Sequence, residues 1–213
     1  MTFPMMPNPT IFRPIPTVTF LGGTEGGFAG FGGAITMASG PRQDRFLMLT
    51  IAFTGTATAS CTIDGVSVPV WYPQYDGTIN SVDGSQAGYA VARVPTGTTV
   101  PFTFSGAGQT AVYEILGLES VIPYDGERVN GTPSASGSIT MQEGGMIFAN
   151  LYSSNDNYSF TWSSPMIRTV NNTSYGTSRG ASAAYRANTP SGDYTVSASM
   201  GSGTIYLGAA VFR

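Results

Sequence analysis

One stretch of this chain comes back in altered form, and that repeat limits the fold more than any other feature. Residues 87–118 read AGYAVARVPTGTTVPFTFSGAGQTAVYEILGL, and residues 181–212 read ASAAYRANTPSGDYTVSASMGSGTIYLGAAVF. Each is a strand of small residues, a Pro-x-Gly turn, a second strand, a Gly/Ser break and a third strand. The turns are Pro95-Thr96-Gly97 and Pro190-Ser191-Gly192. The lead-ins match as well: Ile35-Thr36-Met37 precedes RFLMLTIAF, and Ile139-Thr140-Met141 precedes GGMIFANLY. A period near half of the 213 residues marks a duplicated β-unit.

The rest of the chain agrees with an all-β reading. Arg45 to Phe53 is an apolar run of strand length between Gly40-Pro41 and Gly55, which argues for a buried strand. Thr58–Ile63 and Val66–Trp71 flank Asp64-Gly65, a strong two-residue hairpin signal. Further strands are expected from Thr17 to Phe20 and near Met146–Tyr152, Tyr158–Trp162, Met166–Val170, Ala181–Arg186, Tyr194–Met200 and Thr204–Phe212. Ala111–Leu116 could be a short helix, but the repeat makes it a strand. The Gly-rich run LGGTEGGFAGFGGA reads as a surface loop, because it lacks the Gly-Lys-Ser/Thr ending of a phosphate-binding loop. The Gly/Ser/Pro-rich stretch Asp125–Ser138 reads as the connector between halves.

About nine to eleven strands at 8–12-residue spacing predict a sandwich or barrel. The expectation is a jelly-roll-like β-sandwich built from two related halves, about 17–124 and 134–213, with an extended Pro-rich N-terminal arm over 1–16. Neither half shows an obvious closed core of its own, which favours one sandwich over 17–213; two small β-domains are the alternative.

Composition excludes several function classes. The chain has no His, and its nine basic residues are all Arg and scattered, with a net charge of -3. No basic cluster exists to neutralise a nucleic-acid backbone. Without imidazole there is no Ser-His-Asp triad, no Cys-His pair and no histidine metal ligand. Cys61, the single cysteine, has no partner for an intramolecular disulfide and reads as a small buried hydrophobe. Most acids adjoin a glycine, as in Asp76-Gly77, Asp83-Gly84, Asp125-Gly126 and Glu143-Gly144, where Asp and Glu belong to turns. Glu114 is the exception, lying within the apolar AVYEILGL, and is the carboxylate to inspect first. No enzyme activity, cofactor or metal is expected. No apolar run nears the roughly 18–20 residues of a membrane span, and the N-terminus lacks the regions of a secretion signal.

Recognition is left to two places. Residues 1–16 carry Pro4, Pro7, Pro9, Pro14 and Pro16, which favour an extended segment. Between them lie Phe3, Met5, Met6, Ile11 and Phe12, apolar enough to lie along a surface, the chain's own or a partner's. The second place is the aromatic stretch Trp71, Tyr72 and Tyr75, which could stack on sugar rings, meet a partner or fold back over the sandwich edge. Only 10% of residues are charged, against about 25% in an average domain. A surface so poor in charge is weakly protected against association; it fits either an ordinary neutral β-protein or a chain whose surface is covered by neighbours.

The proline-rich apolar arm, RFLMLTIAF followed by the Asp64-Gly65 hairpin, and the paired Pro-x-Gly units ending in AAVFR together set a pattern. It resembles the small jelly-roll or Ig-like accessory proteins of tailed phages and gene transfer agents: capsid decoration proteins, head-spike bases and tail-fibre components. The resemblance implies a non-enzymatic virion part, assembled in the host cytoplasm. It would form a trimer or higher homo-oligomer and dock on other virion proteins through its arm. Some members bind host-surface glycans.

Overall fold

A computed structural model of the chain describes residues 15–25, 31–54, 60–73, 85–105, 107–153, 159–172 and 180–213. Among them there is no helix, and every regular element is a strand. The first half contains β1 (Thr17–Glu25), β2 (Phe31–Thr36), β3 (Arg45–Thr54), β4 (Cys61–Ile63), β5 (Val66–Val68), β6 (Val70–Trp71), β7 (Ser85–Arg93), β8 (Thr99–Phe104) and β9 (Ala107–Leu116). The second contains β10 (Asp125–Gly131), β11 (Ser134–Met141), β12 (Gly145–Ser153), β13 (Thr161–Trp162), β14 (Ile167–Asn172), β15 (Gly180–Thr189), β16 (Gly192–Ser199) and β17 (Ile205–Phe212).

The sheet orders show the duplication directly. One five-stranded sheet runs β1-β9-β3-β7-β6, and its counterpart runs β10-β17-β12-β15-β14. The companion sheets run β2-β8-β4-β5 and β11-β16-β13. In each half successive strands or hairpins alternate between the two sheets, with all pairings antiparallel, which makes each half a jelly roll. The repeated segments are β7-β8-β9 and β15-β16-β17, and Ala111–Leu116 lies within β9. The turn at Asp64-Gly65 has φ of 53° and 75°, the left-handed pair that a two-residue hairpin requires.

Side-chain alternation along β3 and β12 explains how the layers stack. On β3, Leu47, Leu49 and Ile51 point into a core with Val100, Phe102 and Phe104 of β8 and Cys61 and Ile63 of β4. On β12, Ile147, Ala149 and Leu151 point into a second core with Ile139 of β11, Val196 of β16 and Trp162 of β13. The opposite faces meet each other. Met48, Tyr89, Val91, Tyr113 and Ile115 pack against Met146, Phe148, Ala183, Ala210 and Phe212. The central strands of the five-stranded sheets are therefore buried on both faces, and β12 has no exposed residue along its length. Each half closes its own core, which its sequence did not make obvious, and a third core joins the halves. The order of layers is outer sheet, inner sheet, inner sheet, outer sheet.

The contacts between the inner sheets come in matched pairs. β7 meets β17 as β9 meets β15, and β7 meets β12 as β3 meets β15. β1 meets β14 as Trp71 of β6 meets Gly126 of β10, while β3 meets its own counterpart β12. This is the geometry of a two-fold isologous interface, built here inside one chain.

Two glycine-rich segments read as loop or connector form strands over most of their described residues, with 26–30 lying outside the described residues. Gly22 and Gly23 lie in β1, Gly32 and Gly33 in β2, and the stretch from Asp125 supplies β10 and the start of β11. Glycine is there for close approach rather than for loop flexibility. A Cβ on Gly126 would sit 2.2 Å from the Trp71 ring, and one on Gly32 2.8 Å from Phe102 O; the same holds beyond these segments at Gly208, 2.3 Å from the Ala87 Cβ. The true connector is residues 117–124.

Phe148 stands edge-on to Tyr113 at 5.0 Å and to Phe212 at 6.0 Å between ring centres. Phe148→Ala should lower stability in urea unfolding by about 3–5 kcal/mol. Because Tyr89, Tyr113, Met146 and Phe212 still join the halves in the variant, they should unfold in one transition.

Candidate docking surface

The chemistry-bearing residues are used structurally. Arg45 opens β3 and is fully buried. Its Nε donates to Val94 O at 2.8 Å and its Nη1 to Ser39 O at 2.9 Å. Its Nη2 donates to Thr96 O at 2.6 Å and to Gly97 O at 2.7 Å. A buried guanidinium is tolerable only when carbonyls replace its water, and here the fork ties the first Pro-x-Gly turn to the end of β3. Glu114, also buried, accepts the Ser39 N–H at 3.1 Å on both carboxylate oxygens. One residue, Ser39, thus takes its carbonyl bond from Arg45 and gives its amide to Glu114. The carboxylate singled out in the sequence anchors a loop. Among the described residues no three His, Cys, Asp or Glu side chains group as a metal site. No helix there is long and apolar enough to cross a membrane.

Two of the three aromatic candidates pack inward. Trp71 is half-buried, 5.9 Å from Tyr89 between ring centres and against Gly126, so it spans the two halves. Tyr72 packs on the first half's own core, beside Gly88. Alternation along the extended chain sends the neighbouring rings to opposite sides. Tyr75 lies outside the described residues, as do Phe3, Met5, Met6, Ile11 and Phe12.

The structure adds a surface that the sequence reading passed over. In the connector, Val121 is 45% exposed, Ile122 69% and Tyr124 56%. The backbone that carries them is held: Glu119 N and Ser120 N donate to Arg213 O, and Tyr124 N donates to Val211 O. The Ser120 hydroxyl also bonds Ile122 at both its N–H and its carbonyl. These contacts fix the segment to the end of β17 and leave its side chains in solvent. The signal was available, since Val-Ile-Pro-Tyr is too apolar for an ordinary connector between repeats. Ile15, 63% exposed, joins the same end of the molecule. It stands two residues before Thr17, which pairs with Leu116 just ahead of the connector.

The outer faces are the other unusual surfaces. The seven strands of the two outer sheets hold a single charged residue, Asp193. Ser134, Ser136 and Ser138 pair across with Ser199, Ser197 and Thr195, and Thr99, Pro101 and Thr103 line the opposite end.

Fold and surfaces together describe a class, a tandem jelly-roll scaffold with its rolls packed back to back. No protein-family model matches the chain, and no curated protein matches it. Among solved structures it is similar to a chain of the Cucumber Necrosis Virus crystal structure, at 10% identity and a TM-score of 0.26, covering 98% of this chain and 96% of that one. It is also similar to a chain of the Sputnik virophage structure, at 8% identity and a TM-score of 0.23, covering 92% and 85%. Likenesses this faint decide neither fold nor function.

Two outcomes follow from the buried groups. Arg45→Met leaves four carbonyls without their donor and should cost about 3–5 kcal/mol in urea unfolding. Glu114→Gln, which still accepts from Ser39, should cost less. Burial pushes the Cys61 thiol from its ordinary 9.0 up to about 12, and raises the Tyr89 and Tyr113 phenols above their ordinary 10.0. Acids with raised folded pKa values contribute stability that is whole below the unfolded pKa and is lost as pH rises through the folded value. The urea midpoint should therefore hold up to about pH 9 and fall beyond it. Cys61 should resist iodoacetamide at pH 8 until the protein is unfolded.

Proposed function

We propose that this protein is a non-enzymatic structural subunit of a phage-like or other virus-like particle. It self-assembles into a homo-oligomer, trimer or higher, and docks on its particle through residues 1–16. Head decoration, a spike base and a fibre component are the roles this reading covers. One observation carries it: a single charged residue on the seven strands of the outer sheets. Charge on exposed sheet faces is what ordinarily keeps soluble β-proteins apart, so faces this neutral suit subunits surrounded by neighbours. The buried, fully bonded Arg45 and Glu114 add support, because they strengthen a scaffold instead of serving a cleft. Glycan recognition is the weaker reading, since the rings of Trp71 and Tyr72 are engaged in packing.

Light scattering on the purified full chain tests the assembly. The expected mass is that of three or more copies, and a stable monomer at micromolar concentration sinks the proposal.

A further inference from the structure

We propose that the apolar patch of Ile15, Val121, Ile122 and Tyr124 is the seat for residues 1–14 of a neighbouring copy of this chain. The inference rests on the assembly reading above; it gives the arm a second copy, in place of another particle protein, as its partner, and names one contact through which copies would be joined.

Three observations point to this occupant. First, three large side chains stand 45–69% exposed within four residues, on a backbone held by hydrogen bonds from Glu119, Ser120 and Tyr124 to the end of β17. A loop fixed in this way displays its apolar side chains instead of folding them inward, and such a patch marks an interaction surface. Second, the arm begins where the patch lies. Thr17 pairs with Leu116, and Glu119, three residues further on, already bonds Arg213. Ile15, the first described residue, directly follows residues 1–14 and is itself exposed at this end. Third, the chemistry matches. Residues 1–14 hold Phe3, Met5, Met6, Ile11 and Phe12 and a single charge, Arg13. Apolar side chains spaced by prolines suit a shallow apolar strip, because an extended proline-rich segment loses little conformational freedom on docking.

The arm's direction favours a neighbour over its own copy. β1 runs antiparallel to β9, so Pro16 and Ile15 leave the sheet where β9 ends and the connector begins. Pro14 and Pro16 restrict themselves and the residues before them to extended conformations, which opposes a turn back within the first few residues. At about 3 Å per residue, fourteen extended residues reach on the order of 40 Å, far enough to cross onto an adjacent copy. With arm and patch at one end, rotation about an axis there closes a ring in which every patch is covered by a neighbour's arm.

The test is a photo-crosslink in the full chain. Ile122→Cys is labelled with benzophenone maleimide; Cys61 is buried with its thiol pushed up to about 12, so the label goes to position 122. Labelled protein is mixed with unlabelled ¹⁵N-enriched protein under assembling conditions, irradiated and digested. The expected product joins the position-122 peptide to a peptide from residues 1–14 that carries the other isotope. Val121→Cys should give the same product. Arm crosslinks of one isotope only mean that each copy binds its own arm, which overturns the proposal. Crosslinks that miss the arm altogether overturn it too. An oligomer without arm crosslinks removes this inference and leaves the assembly reading standing, whereas a monomer removes both.

Discussion

The packing of the two inner sheets against each other is the constraint on which the rest of this molecule depends. Phe148 reaches from the second half to Tyr113 of the first, while Tyr89 donates its hydroxyl to Gly208 O at 2.8 Å. Asn150 donates from β12 to Ile51 O at 2.7 Å. A face that is apolar and aromatic at Met48, Tyr113, Phe148 and Phe212 cannot be left in water, so neither inner sheet can serve as an outside surface. The buried amide and hydroxyl add orientation, because polar groups at such a depth must find particular partners. Once the inner faces are joined, only the outer sheets, the rims and the connector are left to meet anything else.

That division accounts for where the few charges went. Arg45 and Glu114 are buried close to the first Pro-x-Gly turn and satisfy backbone groups around Ser39. Arg42 and Asp44 pair with each other beside it at 2.6 Å. Arg213 lies 3.7 Å from Glu119 where the connector meets the end of β17. Charge sits in loops and on inner-sheet strands, as at Glu114, Glu127 and Arg128, and the outer faces are left mainly to Ser, Thr, Ala and Gly. A scaffold of this kind is suited to contact with neighbours over flat neutral surfaces, and the exposed connector is the one strongly apolar place on its described surface where several large side chains stand together.

Much of the architecture was legible in the chain. The repeat gave three strands of each roll, β7 to β9 and β15 to β17, the Asp64-Gly65 pair gave its hairpin, and the run from Arg45 gave a buried strand. The glycine-rich segments were misread because glycine has two uses that look alike in sequence: freedom in a loop and closeness in a packed sheet. Gly126 and Gly208 serve the second, and only the Trp71 ring and the Ala87 methyl facing them reveal it. Trp71 is ambiguous for a similar reason, since an aromatic before a proline reads equally as a recognition loop or as a lid on the core. The connector patch carried a signal, an apolar Val-Ile-Pro-Tyr between repeats, that a search for catalytic and turn residues passes over.

By itself the sequence determined that the chain is all-β and duplicated, without the imidazoles of common catalytic sites, and neutral over most of its length. These follow from composition and short-range periodicity, which act within a strand or a turn. Tertiary structure decided that each half closes its own core and that the halves meet back to back. It also decided that Glu114 anchors a loop and that Val121, Ile122 and Tyr124 face outward. Those outcomes depend on which strand faces meet across tens of residues, and a two-residue alternation along β3 or β12 is the same whichever face turns toward which partner.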